Sequence, residues 1–510
     1  MTFSDWVLLL PYIASGLVLF TYGVNCYWQL GFFLRGRQML REQDRRARIL
    51  EAKLWKDPRS LPVVTTQIPL FNEYNVAERV IEAVAKIDYP KERHQIQVLD
   101  DSTDETAALV NEIAAGLRDR GHWIEVLHRV DRSGFKAGAL RRGLDSAAGE
   151  FVAIFDGDFV PRKDFLRKTL PLLVGDAGLG LVQGRWDHLN PTDNLLCRAQ
   201  VLGIDGHFSI EQAARASNRL FLNFNGTAGI WRKKAIFDAG NWEGDTLTED
   251  MDLSYRAQLA GWRLTFRSEA AVPAELPSSF TAFKSQQFRW AKGSIQTARK
   301  LYPRVWRSGR PFIARLQAFF HLTHYVIHPA IVLVALLSLP VLFILPERVG
   351  LPVRIFAVLG IFVAALGPNT LYLFSQRFLH PRDWRRRILL LPILTAVGLG
   401  ISVSNARAVI EGIIGVRSEF VRTPKKGSLN AVPYHAKASW VTGIELFLAG
   451  YCALSFGLYC WMGAWGITPF LFLYAIGYGF VGIRSLQEIR ETLPRSTAGT
   501  MIARPSDASG

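Results

Sequence analysis

The sequence predicts two structural classes in one chain: an open, mostly parallel α/β sheet with helices on both faces, and an all-α domain suited to a lipid bilayer. Three observations carry this. Between residues 60 and 160, short β-branched runs alternate with amphipathic helical stretches, the pattern of a parallel sheet with crossover helices. Residues 6–34, 317–345, 353–378 and 440–486 are nearly free of charge, and roughly 20 apolar residues suffice to cross hydrocarbon. Basic residues cluster beside them: Arg35, Arg37, Arg41, Arg45, Arg46 and Arg48 follow the first stretch, and Arg385, Arg386 and Arg387 the third. That asymmetry marks cytosolic flanks.

Taken in order, residues 1–49 read as a membrane anchor with a basic cytosolic flank. The apolar stretch has no small-residue cleavage site and exceeds the ~7–15 residues of a signal-peptide core, so it is expected to be retained. Residues 50–315 form the cytosolic α/β domain, closed by a basic interfacial helix. Residues 316–489 form the channel region, with spans at 317–345, 353–378, 440–463 and 466–486. The count is five spans, or six if 388–416 also crosses. A crossing there would put FVRTPKK, with three basic residues, on the outer side; the segment is therefore expected to be interfacial or re-entrant. A loop at 417–430 and a disordered tail at 490–510 complete the chain.

The net charge of +16 and pI near 9.8 would suit a nucleic-acid partner, but the charge sits beside apolar segments and no nucleic-acid-binding motif accompanies it. The lipid bilayer is the expected partner, and nucleic acid is not. The four cysteines have no metal-ligand spacing, and Cys452 and Cys460 fall in an apolar span. Neither zinc nor a disulfide framework is indicated.

Within the α/β domain, VVTTQI, IQVLD, WIEVLH and FVAIFD read as strands, and VAERVIEAVAKI and ETAALVNEIAAGLRD as helices. Ligands of such sheets bind at the carboxyl ends of the strands. Asp100 and Asp101 end one strand, and Asp156 and Asp158 end another. Two carboxylate pairs at neighbouring strand ends repel unless positive charge lies between them, and a divalent cation on a diphosphate fits hard oxygen ligands. Taken singly, each Asp is also an ordinary turn former.

The motifs also come in a telling order. LDDSTDET carries Asp100 and Asp101, GFKAGAL Lys136, IFDGDF Asp156 and Asp158, FNGTAG Asn225 and Gly226, and LTEDMDL Asp250; QQFRW comes last. This set resembles the membrane-embedded inverting glycosyltransferases of family two, which include cellulose, hyaluronan and chitin synthases. It is especially similar to the plant cellulose-synthase-like mannan and glucan synthases, well over residues 65–300 and more loosely through the spans.

The resemblance implies a GT-A (Rossmann-like) domain and a processive hexosyltransferase. Such an enzyme moves sugar from UDP-glucose or GDP-mannose, with inversion, to the non-reducing end of a β-linked glucan or mannan, with β-1,4 the expected linkage, and extrudes it across the membrane. A single-sugar transferase to a ceramide or polyprenyl-phosphate acceptor is the alternative. By the same resemblance, Asp156 and Asp158 hold Mg2+ or Mn2+ on the diphosphate. Glu73, Asp100 and Asp101 line the nucleoside pocket, and Lys136 adds positive charge beside the nucleotide. Asp250 is the general base, although on its own it is also a carboxylate at a helix N-terminus.

Asn225, Gly226, Gln286, Arg289 and Trp290 are expected at the acceptor, with Trp290 stacking on the terminal sugar. FVRTPK resembles a gating loop with the pattern F-x-V-T-x-K: Phe420, Thr423 and Lys425 match, and Arg422 stands where the pattern has Val. The short C-terminus points to a bacterial inner membrane with the catalytic domain in the cytosol.

Overall fold

The computed structural model describes residues 3–348, 351–416 and 439–492. Helix α1, Phe3–Leu54, runs 52 residues without interruption, roughly 78 Å at 1.5 Å per residue. That is more than twice the hydrocarbon thickness. The expected division at residue 49 therefore falls inside a helix. The basic flank continues the anchor and docks on the α/β domain, where Ala47 is fully buried in the sheet core.

The domain continues as β1 (Val64–Leu70), α2 (Tyr74–Ala85), β2 (His94–Asp100), α3 (Thr106–Asp119), β3 (Trp123–His128), α4 (Phe135–Ser146), β4 (Phe151–Ile154) and α5 (Phe165–Val174). After it come β5 (Leu179–His188), α6 (Leu195–Gly206), a π-turn at His207–Gln212, and α7 (Ala213–Ser217). The last elements are β6 (Gly229–Arg232), α8 (Lys233–Asp238), α9 (Glu249–Leu259), β7 (Arg263–Ala274) and α10 (Phe280–Arg307).

One seven-stranded sheet has the order β3-β2-β1-β4-β6-β5-β7. It is parallel except for β6, which runs antiparallel to β4 and β5. Side chains alternate between faces along a strand, and β4 shows the result: Phe151 and Ala153 join α2, α3 and α5 on one side, while Val152 and Ile154 join α4, α8 and α9 on the other. Each such fully buried large side chain contributes about 1.5–3 kcal/mol. Strand β4 stops at Ile154, two residues short of the FVAIFD reading, so Asp156 and Asp158 stand on the loop beyond it.

The membrane side comprises α11 (Phe312–Thr323), α12 (Ile327–Arg348), α13 (Leu351–Leu379), α14 (Trp384–Arg387), α15 (Leu391–Gly400), α16 (Ser402–Ile414), α17 (Trp440–Trp461) and α18 (Thr468–Thr492). Among the described residues, four helices are long and apolar enough to cross a membrane: Asp5–Leu54, Phe312–Ile344, Trp440–Trp461 and Thr468–Glu491. A fifth candidate is the pair Trp384–Gly400 and Ser402–Ile414, bent by 47° within the segment expected to be re-entrant. Helix α13, expected to span, has 29 residues and packs along α1; its second half carries Asn369, Gln376 and Arg377.

Helix α10 fastens the two parts together. Ser279 caps its N-terminus, accepting from Ala282 N, and the Glu488 carboxylate of α18 accepts from Phe280 N at 2.7 Å and Thr281 N at 2.9 Å. An acid at this end complements the unsatisfied N–H groups and the helix dipole. Further along, Lys284 pairs with Glu445 of α17 at 3.0 Å and Lys292 with Glu411 of α16 at 2.7 Å.

Candidate active site

Register places the first carboxylate pair. Asp100 ends β2 opposite His128, the last residue of β3, and its Oδ2 lies 2.7 Å from His128 Nδ1 while Oδ1 accepts from Ser102 N at 3.0 Å. Asp101 is held bidentately by Arg129, whose Nε donates at 2.8 Å and Nη2 at 2.6 Å. The positive charge expected beside this pair is supplied by Arg129, just beyond the neighbouring strand β3; strand β1 lies between β2 and β4, so the two acidic pairs do not end neighbouring strands. Beside it, the Arg132 guanidinium stacks 3.2 Å above the Phe71 ring.

The second pair lies in a denser cluster. Lys136, on the first turn of α4, reaches Asp156 Oδ1 at 2.6 Å, Glu249 Oε1 at 3.9 Å and the Gly226 carbonyl at 2.9 Å. Burial pulls the Lys136 pKa down, but Asp156, Glu249 and Asp250 outweigh it and leave the ammonium held above its ordinary range. Burial raises Asp156, reinforced by Asp158 and opposed by Lys136. Arg289 of α10 is pulled down by burial and supported by Glu249, Asp156, Asp158 and Asp250. QQFRW therefore does meet the upstream acids.

Asp250, at the start of α9, is pushed up to about 7, first by burial and then by the neighbouring Glu249 charge, against the pull of Lys136. Glu249 is also raised by burial, with Lys136 opposing. Two glycines make the crowding possible. A Cβ on Gly157 would collide with Glu73 Oε2, so the Gly between Asp156 and Asp158 lets the Glu73 carboxylate close on that loop. Gly226 has φ +79°, and a Cβ there would stand 3.0 Å from Asp250 Oδ2 and 3.3 Å from Lys136 Nζ, a conformation and a space that favour glycine.

An aromatic cluster borders the carboxylates. Phe159, next to Asp158, packs edge-on against Trp186 of β5 at 5.1 Å; Trp186 meets Trp290 at 6.2 Å and Phe208 at 5.3 Å. Gln286, half-buried, precedes Trp290 by one turn on the same face of α10. Asn225 turns its side chain inward, its amide bonded to His207 and Gln212. Phe420, Thr423 and Lys425 lie outside the described residues.

Motif reading missed His128, Arg129, Glu249, Trp186 and His207. Asp100 opposite the end of WIEVLH was the one available signal, for His128 and Arg129. A third acidic group, Glu243, Asp245 and Asp252, has oxygens close enough for an ion, but Lys300 Nζ lies 2.5, 2.8 and 2.9 Å from them and supplies the charge itself.

The model of the glycosyltransferase-like family 2 matches residues 62–293. Glucomannan 4-β-mannosyltransferase 7 of Arabidopsis thaliana is 34% identical over 451 residues, 83% of this chain and 77% of the relative. The chain belongs to glycosyltransferase family 2.

Glucomannan 4-β-mannosyltransferase 1 of Cyamopsis tetragonoloba is 39% identical over 64% of each chain, and glucomannan 4-β-mannosyltransferase 2 of Arabidopsis thaliana is 39% identical over 56% of this chain. The chain spans only 55% of the length of that last relative. A solved mannosyltransferase from Pyrobaculum calidifontis, in complex with GDP-Man and Mn2+, aligns over 78% of this chain with TM-score 0.49 and 19% identity. The chain is a multi-pass membrane protein. These curated relatives are plant proteins, so the bacterial inner membrane expected from the short C-terminus finds no support.

Proposed function

We propose that this protein is a processive β-1,4-mannan or glucomannan synthase that takes mannosyl units from GDP-mannose and adds them to the non-reducing end of the growing chain. The observation that carries the reading is the buried Asp250, within electrostatic reach of Lys136 and Arg289 and raised to about 7, with Trp290 following Arg289 on α10 and meeting Trp186. The names of the curated relatives support the sugar and the linkage.

Inverting transfer needs a base for the acceptor hydroxyl and a stabilised leaving group. Asp250 takes the proton; a base works best with a pKa near the working pH, which its setting provides. Lys136 and Arg289 attract the diphosphate and orient it away from the acceptor. Trp290, with Trp186, presents an aromatic face to the terminal sugar, and Gln286 supplies a hydrogen bond to its hydroxyls. Glu73, Asp100 and Asp101 border the nucleoside, with Arg129 and His128 keeping the two aspartates fixed.

A divalent magnesium or manganese ion suits the cluster, since four carboxylates, Asp156, Asp158, Glu249 and Asp250, face two cations, Lys136 and Arg289. Asp156 and Asp158 would hold it, and when bound it neutralises charge on the departing diphosphate. The tethers from α10 to α16, α17 and α18 support delivery of the polymer into the spans, with the catalytic domain on the cytosolic side, where the basic flanks lie.

The test is label incorporation by membranes given GDP-mannose or UDP-glucose with manganese or magnesium. Ethanol-insoluble product from GDP-mannose, removed by an endo-β-1,4-mannanase, is the expected result. Label confined to the lipid extract would overturn the polymer reading in favour of a single-sugar lipid transferase.

A further inference from the structure

The helix that runs from α6 into α7 widens to a π-turn over His207–Gln212, a distortion that gathers where side chains must be presented for function. Two side chains of this turn grip the amide of Asn225 from opposite ends. Asn225 Nδ2 donates to His207 Nε2 at 2.9 Å, and Gln212 Nε2 donates to Asn225 Oδ1 at 2.5 Å. The other ring nitrogen, His207 Nδ1, lies 3.0 Å from Glu211 Oε2.

These contacts fix the tautomer. With the proton on Nδ1, the imidazole donates to the carboxylate and leaves Nε2 free to accept from Asn225. Burial would raise Glu211, but the hydrogen bond from His207 and the Arg215 charge behind it hold the carboxyl below its ordinary range. The carboxylate thus stays an acceptor. The backbone N–H of Asn225 also donates inward, to Gln183 Oε1 at 3.0 Å.

Both polar atoms of that side chain thus have a protein partner, and the consequence falls on the next residue. Gly226 offers its carbonyl to Lys136 Nζ at 2.9 Å and lies against the Asp250 carboxylate. We propose that His207 and Gln212 are positioning residues for sugar transfer: by fixing Asn225 they set the Gly226 carbonyl that anchors Lys136 and the space beside Asp250 where the acceptor hydroxyl reacts. Asn225 then serves the site through the placement of Gly226. This rests on the transferase reading given above.

The test compares His207→Leu, His207→Gln and Gln212→Met in the full chain, beside wild-type membranes that incorporate label. Misplacement of a reacting group by about 1 Å costs as much as 10²-fold, so His207→Leu and Gln212→Met are expected to lower kcat at least about tenfold, with donor KM within about threefold of wild type. His207→Gln, whose carbonyl can accept the same N–H, is expected to restore kcat to within about threefold.

Equal rates in the Leu and Gln variants, whether both intact or both lost, would overturn the inference. If His207→Leu fails to fold, Gln212→Met at wild-type kcat overturns it alone. A wild type that labels no product counts against the proposed function, whereas a normal wild type with unaffected variants counts against the positioning roles only.

Discussion

Lys136 Nζ lies 2.6 Å from Asp156 Oδ1, which ties the first turn of α4 to the loop beyond β4. With Gly226 and Glu249 also in reach, this one ammonium holds three separate segments together. Lys136→Met leaves Asp156 without its nearest cation, and the remaining burial and Asp158 charge push that carboxyl further up. We expect kcat/KM to fall by about 10²-fold or more, a loss of about 3 kcal/mol of transition-state stabilisation. Steady-state kinetics on purified protein checks this.

The Asp250 pKa near 7 predicts an acidic limb in kcat/KM. Burial and Glu249 favour the neutral acid, and a base must be ionised to act, so activity should rise with pH up to about 7 and level off above it. Glu249→Gln removes a negative charge that raises Asp250, so the limb should move to lower pH. A limb that stays where it was in Glu249→Gln would mean that another group titrates.

Arg129 holds Asp101 through two short bonds, and the side chains are 14% and 5% exposed. Breaking such a buried pair from one side leaves an uncompensated charge, at a cost of about 3–5 kcal/mol. If Asp101 borders the nucleoside as proposed, Arg129→Gln should raise donor KM by about tenfold or more while kcat changes less, because that end of the donor takes no part in the bond change. Donor titration of the variant checks the split.

Lys284 and Glu445 bind α10 to α17 with side chains 10% and 0% exposed. Glu445→Gln strands the ammonium and should destabilise the protein by about 3 kcal/mol. The double variant Lys284→Met, Glu445→Leu should recover much of that, since a buried pair replaced by apolar groups is often neutral. Thermal unfolding in detergent distinguishes the two.

Much of this architecture was legible in the sequence where the signal is local. Strands β1 and β2 are buried almost throughout and β3 is a half-exposed edge strand, and the sequence pattern places each to within two residues at either end. Helix α2 shows its buried face at Val76, Val80, Ile81 and Val84, the helical period itself. Asp156, Lys136, Asp250 and Arg289 were found through their motifs, and the fold brings them together. What stayed hidden depends on register and long-range packing. Arg129 pairs with Asp101 because β3 lies beside β2, and Trp186 meets Trp290 across 104 positions of sequence. The continuity of α1 was masked by its change from apolar to basic composition, which marks the membrane boundary but not the end of the helix.

Asp250 is the proposed base, and Asp250→Asn tests that role most directly. With saturating donor and the metal present, general-base loss should reduce the initial transfer rate by about 10³-fold, with the protein still folded and donor still bound. An Asp250→Asn enzyme that keeps more than about a tenth of the wild-type rate would contradict it, because no such residual is compatible with loss of the base.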